Sequence, residues 1–315
     1  MTLLRFETRL VLRAAFALGL AGAVPGWAAA QDTSACPLWA QLQSAAKALD
    51  VAQAAAVEKE IGTDPERDCN ALAADARKVM LDIYRGQDAR LEQANAPLQQ
   101  RLAQLNAALQ YNNGWNAWDI QARIADLTRK LPGARPEVIS MAYDRAVMAI
   151  DEAPREAQPP PAQIGRVVRL AYQYEALSAV PVPRTSQLSR SSRQINVGYV
   201  PAPLQFEYDK AELTAAGKTQ AANLLRQLQA MKLPPLHLIG HTDPVGSDAY
   251  NMDLSARRAA TVKGFLVANG YPAQSITTEG RGKRDVGKLQ IEDRSSFTQA
   301  QIHQMLRRVE LVVKD

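Results

Sequence analysis

The chain is short of the residues that build redox and metal centres, with two cysteines and three histidines in 315 residues. Two cysteines exclude a disulfide-dense scaffold. His237 and His241 stand four apart on a predicted strand, so their side chains are about 13 Å apart, too far to share one ion. The third, His303, falls in the helix before the last predicted strand. No Gly-x-Ser-x-Gly elbow or nucleophile–base constellation appears, which argues against a hydrolase. No DNA- or RNA-binding signature appears either, so nucleic acid is not an expected partner. Long apolar runs are also missing. Beyond the N-terminal segment no stretch is apolar enough to cross a membrane as a helix. The repeated alternation of a transmembrane β-barrel is absent too. No enzyme activity, cofactor or metal is expected.

What is present is an ordinary globular composition, 47% hydrophobic and 22% charged, long enough for about two domains. Residues 1–30 read as a signal peptide. Arg5, Arg9 and Arg13 form a basic region, Ala14–Val24 an apolar run, and Ala28-Ala29-Ala30 the small residues before cleavage. The apolar run spans only about half of the ~30 Å hydrocarbon core as a helix, too little for an anchor. Cys36 follows the segment but lacks the aliphatic residue three positions upstream that a lipid-attachment site uses, since Thr33-Ser34-Ala35 precedes it. An exported chain meets an oxidising compartment, so Cys36 and Cys69 are expected to pair as a disulfide rather than stay as buried thiols. The formal net charge of +5 suits an anionic polymer or membrane surface, and also serves plain solubility. The expected location is the periplasm, with an association with the outer membrane left open.

Residues 31–157 read as a helical domain rich in Ala, Gln, Leu, Arg and Glu. Asp64-Pro65-Glu66 is a helix start, Leu131-Pro132-Gly133 a stop, and Pro136-Glu137 another start. Leu98, Leu102, Leu105 and Leu109 repeat on one face. They suit a coiled-coil seam too short to be convincing, a tetratricopeptide-like pair begun by Trp39 and Leu42, or an intramolecular bundle, which is the reading adopted. Trp115 and Trp118 are read as core. Residues 158–196 are expected to be a Pro/Ser/Arg-rich linker holding one short helix, Ile164–Ala176, before the tract Pro181–Arg193. Residues 197–315 alternate strand and helix. Pro203–Phe206 reads as extended, Thr214–Ala230 as helix, Leu236–Gly240 as strand and Ser247–Asn269 as helix. Ile276–Gly280 and Arg307–Val313 read as strands. The fold class expected is a helical N-terminal bundle followed by an α+β or α/β domain, a mixed sheet of about four strands covered by helices.

Gly240-His241-Thr242-Asp243 sits where a strand meets a loop, the usual place for a site in such a sheet. Asn251 and Arg258 are two turns apart on the following helix and point the same way. A carboxylate and a guanidinium held apart form a receptor for a zwitterion, the carboxylate accepting from an ammonium and the guanidinium gripping a carboxylate bidentately. On spacing alone an ordinary Asp243–Arg258 ion pair is an equal alternative.

The run Gly240-His241-Thr242-Asp243-Pro244-Val245-Gly246, then Tyr250-Asn251, then Leu254-Ser255-Ala256-Arg257-Arg258-Ala259 and Val262, resembles the signature of the OmpA-like peptidoglycan-binding domain. Phe206-Glu207-Tyr208-Asp209, Leu213, Gly217, Gly280, Gly282 and Arg307-Arg308-Val309-Glu310-Leu311 follow the same family in order. The resemblance covers the C-terminal third and implies non-covalent binding of peptidoglycan through the diaminopimelate residue of its stem peptide. It further implies that Asp243 accepts the ammonium and Arg258 binds the carboxylate. Asn251 and Arg307 are implied as supporting polar residues, and Thr242 as a source of backbone contacts. Two features depart from the family. Leu306 stands where Asn usually precedes the paired arginines, and residues 283–296 follow no matching pattern. The helical domain is expected to be tethered to the wall in this way. The alternative is an envelope adaptor whose helical domain grips an outer-membrane or secretion partner while wall binding is weak. Oligomeric state is not legible.

Overall fold

The computed structural model describes residues 36–63, 69–112, 117–154, 157–178, 180, 200–202 and 204–313. The signal peptide, Asp64-Pro65-Glu66, Trp115 and the Pro181–Arg193 tract lie outside the described residues. The N-terminal module runs through α1 (Pro37–Ala48), α2 (Val51–Thr63), α3 (Ala73–Gln93), α4 (Leu98–Ala108), α5 (Trp118–Lys130), α6 (Pro136–Glu152) and α7 (Pro161–Leu177). Proline opens α1, α6 and α7, a position whose N–H would have no intrahelical partner anyway.

Two cores hold this module. Trp39, Leu42, Ile61, Met80 and Leu105 centre the first, and Leu98, Leu102 and Leu109 pack against it, so the leucine stripe is used inside the chain. Tyr143, Ile150 and Leu170 centre the second, between α5, α6 and α7. A buried polar knot joins α3, α4 and α5. Arg101 grips Asp88 through Nε and Nη2 at 2.7 and 2.9 Å, and Arg123 adds a third bond at 3.0 Å. Cys36 and Cys69 form a disulfide with a Cα–Cα distance of 5.1 Å, stapling the start of α1 to the approach to α3.

The C-terminal module contains β1 (Val200–Ala202), α8 (Ala215–Ala230), β2 (Leu236–Gly240), α9 (Asp248–Ala268), β3 (Ile276–Gly280), α10 (Gln299–Leu306) and β4 (Val309–Val313). The sheet order is β1-β4-β2-β3, with β2/β3 parallel and the other two pairings antiparallel. This is the expected mixed sheet. Leu224, Leu228, Val262 and Leu266 of the two long helices pack onto Leu236, Leu238, Ile276 and Leu311 of the strands. Thr214 and Ser247 cap those helices by accepting from Gly217 N and Tyr250 N. The first strand lies earlier than the expected Pro203–Phe206, and Phe206 makes only an isolated bridge to Leu213. The last strand starts at Val309 instead of Arg307, because Arg307 still closes α10 by donating to His303 O.

The helix expected inside a linker needs correction. It is the 17-residue α7, and its Ile164, Val167, Leu170, Ala171 and Tyr174 are buried in the second core. Its polar positions meet the C-terminal module. Gln173 clamps the backbone of Glu292, donating to its carbonyl (3.2 Å) and accepting from its N–H (2.8 Å), while Arg169 pairs with the Glu292 carboxylate at 2.7 Å. Arg129 pairs with Asp293, and Gln304 donates to Ala176 O at 2.8 Å. Leu306, Ile302 and Met305 form a cluster with Leu177, Val286 and Leu289. The two stretches that the sequence sets apart from the resemblance both lie in this contact, Leu306 in its apolar cluster and Glu292 and Asp293 in its polar clamp.

Candidate functional site

The cleft is assembled where β2 hands over to α9. A Cβ on Gly240 would stand 2.0 Å from Ser255 O, so only glycine lets the strand end lie against that helix. The loop that follows is fastened from several sides. Thr242 N donates to Gly282 O (3.0 Å), Gly282 N donates to Ser255 Oγ (2.9 Å), and Asn251 Nδ2 donates to Val245 O (2.9 Å). Asn251, Ser255, Thr242 and Arg258 are all buried.

Asp243 lies at the tip of this loop. Its Oδ1 accepts from Val245 N at 3.0 Å and its Oδ2 from Arg307 Nη1 at 2.8 Å. Arg258 is 1% exposed, stacks over the Phe206 ring at 5.1 Å, and donates through Nε to Lys210 O at 3.0 Å. Its Nη1 is buried with no hydrogen-bond partner, and no carboxylate lies within ion-pair distance of it among the described residues. Burial, then the neighbouring Arg307 charge, pull the Arg258 guanidinium down to about 10. Donors left open in this way are costly in an empty site and suit one that an anion completes.

All five expected residues, Thr242, Asp243, Asn251, Arg258 and Arg307, line one cleft of about 310 Å³. Two details differ from the expected geometry. The ion pair of Asp243 is with Arg307, not Arg258. The Thr242 amide is spent on Gly282, and its buried Oγ1 has no hydrogen-bond partner among the described residues. Tyr208, Asp209 and Tyr250 also line the cleft, and Tyr250 Oη donates to Asp209 Oδ1 at 2.7 Å. That bond raises the Tyr250 hydroxyl above its ordinary value. Counted by charge, the cleft presents Asp209 and Asp243 against Arg258 and Arg307, two of each sign.

Behind the loop, Arg308 grips Glu310 in a buried pair, and His241 Nε2 lies 3.2 Å from the other Glu310 oxygen without hydrogen-bond alignment. The His241 amide donates to Arg308 O. Burial pushes the Glu310 carboxyl up, but His241 and Arg308 together outweigh it and hold the group below its ordinary value. His237 lies beside Thr277 Oγ1 and Glu279 Oε2. Among the described residues no group of three His, Cys, Asp or Glu side chains is arranged to hold a metal.

Residues 205–296 match the family model described as the OmpA family. The C-terminal module is an OmpA-family domain. The chain is 42% identical over 78 residues to "Outer membrane protein A" of Bordetella avium, covering 25% of this chain and 40% of that protein. It is 37% identical over 115 residues to "Outer membrane protein A" of Serratia marcescens, covering 35% and 32%. The chain thus spans less than half the length of these curated relatives. Among solved structures, the OmpA-like domain of FopA1 from Francisella tularensis is 25% identical with a TM-score of 0.29, covering 37% of this chain and 73% of that one. The peptidoglycan-associated lipoprotein from Burkholderia pseudomallei is 19% identical with a TM-score of 0.30, covering 41% and 100%. No family model matches the N-terminal half. No described helix is long and apolar enough to cross a membrane.

Proposed function

We propose that the OmpA-family domain binds peptidoglycan non-covalently and without catalysis, by holding the free amino-acid end of a diaminopimelate stem peptide. The observation that carries this reading is Arg258, a buried guanidinium with an open donor at the base of a cleft whose rim carries Asp243. The ligand carboxylate completes Arg258 with charge-assisted hydrogen bonds. The ligand ammonium sits against Asp243, which has accepted only two bonds where a carboxylate offers about four lone-pair sites. Balanced charge in the cleft favours a dipolar group over a plain anion or cation. Asn251 and Thr242 act by holding the loop, and Arg307 by aiming Asp243.

On this reading the protein works in the periplasm, and one weak cleft gains effective strength from the many repeats of the polymer. The disulfide favours an oxidising compartment. The helical module would be the part that meets an envelope partner, held at the wall by its docked neighbour. We keep the division into a helical part and a wall-binding part, with α7 assigned to the helical side. Co-sedimentation with purified sacculi tests the reading. The wild type is expected in the pellet and Asp243→Ala in the supernatant, whereas equal pelleting would remove the cleft from the function.

A further inference from the structure

A second cavity, of about 130 Å³, lies between the modules, behind the wall-facing cleft and lined from both sides. α7 contributes Arg169, Tyr172 and Ala176, and the OmpA-family domain contributes Phe206, Met305 and eight further residues that include Arg258. Four guanidinium groups border it, Arg169, Arg258, Arg307 and Arg308. Three are matched by carboxylates, Arg169 by Glu292, Arg307 by Asp243 and Arg308 by Glu310. Arg258 has no carboxylate within ion-pair distance among the described residues, and it borders both cavities.

We propose that this inter-module cavity is a binding site for a small free carboxylate carrying a short apolar group, and that its occupant draws on the same Arg258 that serves the wall cleft. The charge count calls for one negative charge. The Phe206, Met305, Ala176 and Leu289 surfaces call for an apolar body. A volume of 130 Å³ holds on the order of ten water-sized groups, which fits a compact small molecule. A guanidinium bordering two cavities cannot give its open donor fully to both, so occupancy behind should weaken binding in front. The carboxylate site stands on the cavity and its charges alone. Only the competition between the two rests on the proposed wall binding.

The test is calorimetric titration of the full disulfide-bonded chain with hexanoate and with hexanamide, its neutral counterpart. Hexanoate is expected to bind one per chain, about tenfold or more tighter than hexanamide, as a charge-assisted bond requires. Gln290→Trp at the exposed mouth and Ala176→Leu within should each weaken hexanoate by about tenfold while leaving sacculus binding intact. Asp243→Ala should abolish sacculus binding and keep hexanoate. Saturating hexanoate should lower sacculus binding several-fold in the wild type and not in Gln290→Trp. Hexanoate binding no tighter than hexanamide would overturn the proposal. So would hexanoate binding that survives both cavity variants and is displaced by free diaminopimelate, because it would then belong to the wall cleft. A wild type that binds hexanoate but never sacculi would instead count against the wall reading alone.

Discussion

Arg307 reaches across the cleft to Asp243 at 2.8 Å, while Arg258, buried on the neighbouring helix, has no carboxylate within ion-pair distance among the described residues. The two arginines therefore have different work. On the proposed function, Arg307 fixes the direction of the Asp243 carboxylate, and Arg258 offers its open donor to an incoming one. Substitutions should separate them. Arg258→Lys cannot present a planar fork and should weaken binding to diaminopimelate by about tenfold or more, roughly the 1.5–3 kcal/mol of hydrogen bonds to charged groups. Arg307→Lys keeps a charge beside Asp243 and should cost about threefold or less by the same scale. Titration of both variants with the free amino acid reads the difference.

An unpaired buried charge also costs stability. Arg258→Met retains the packing over Phe206 and removes a guanidinium that burial disfavours, so the variant should be as stable as the wild type or more so by about 1–2 kcal/mol, while losing wall binding. Urea unfolding followed by co-sedimentation checks both halves. A large loss of stability would mean that Arg258 is satisfied in a way its contacts do not show.

Fold and site were legible in the sequence to different depths. β2, β3, α8 and α9 were readable to within a residue, since Thr214 and Ser247 are local cap signals and β2 is a short apolar run ended by Gly240. Spacing places Asp243, Asn251 and Arg258 near one strand-to-helix turn, and the family resemblance, more than spacing, singled them out. Which arginine pairs with Asp243 was not readable, because Arg307 comes from 64 residues away on another element. The docking of α7 was hidden for the same reason. Gln173 and Glu292 are 119 residues apart, and neither carries a local sign of its partner.

That docking has its own consequence. Gln173→Ala removes both hydrogen bonds to the Glu292 backbone and should cost about 1–3 kcal/mol. If the modules part, small-angle X-ray scattering of the variant will show a larger radius of gyration than the wild type. Combining it with Arg169→Ala should enlarge the effect, since both act on Glu292. An unchanged scattering profile in the double variant would mean that the apolar cluster around Leu306 suffices.

The disulfide closes a loop of sequence separation 33, worth about 3–4 kcal/mol by the chain-entropy relation. Reduction, or Cys36→Ala with Cys69→Ala, should lower the stability of the helical module by that order and leave sacculus binding by the folded protein unchanged. Denaturant unfolding with and without reductant measures the first, and co-sedimentation the second.

At low pH the edge strand β3 should weaken. Hydrogen bonds from Arg281, then His237, hold the Glu279 carboxyl down to about 2. A carboxyl lowered in the folded state contributes stability that is fully present above its ordinary value near 4.5 and is lost as pH falls towards 2. The stability difference between wild type and Glu279→Gln should therefore shrink across that window and vanish at its lower end. A constant difference would show that the carboxylate charge plays no part.

The most direct measurement is calorimetric titration of the intact chain with free meso-diaminopimelate, repeated on Asp243→Ala and Arg258→Met. One site in the wild type and none in either variant is the expected result. No heat in the wild type, or binding that neither substitution alters, would contradict the assignment of this cleft to the cell wall.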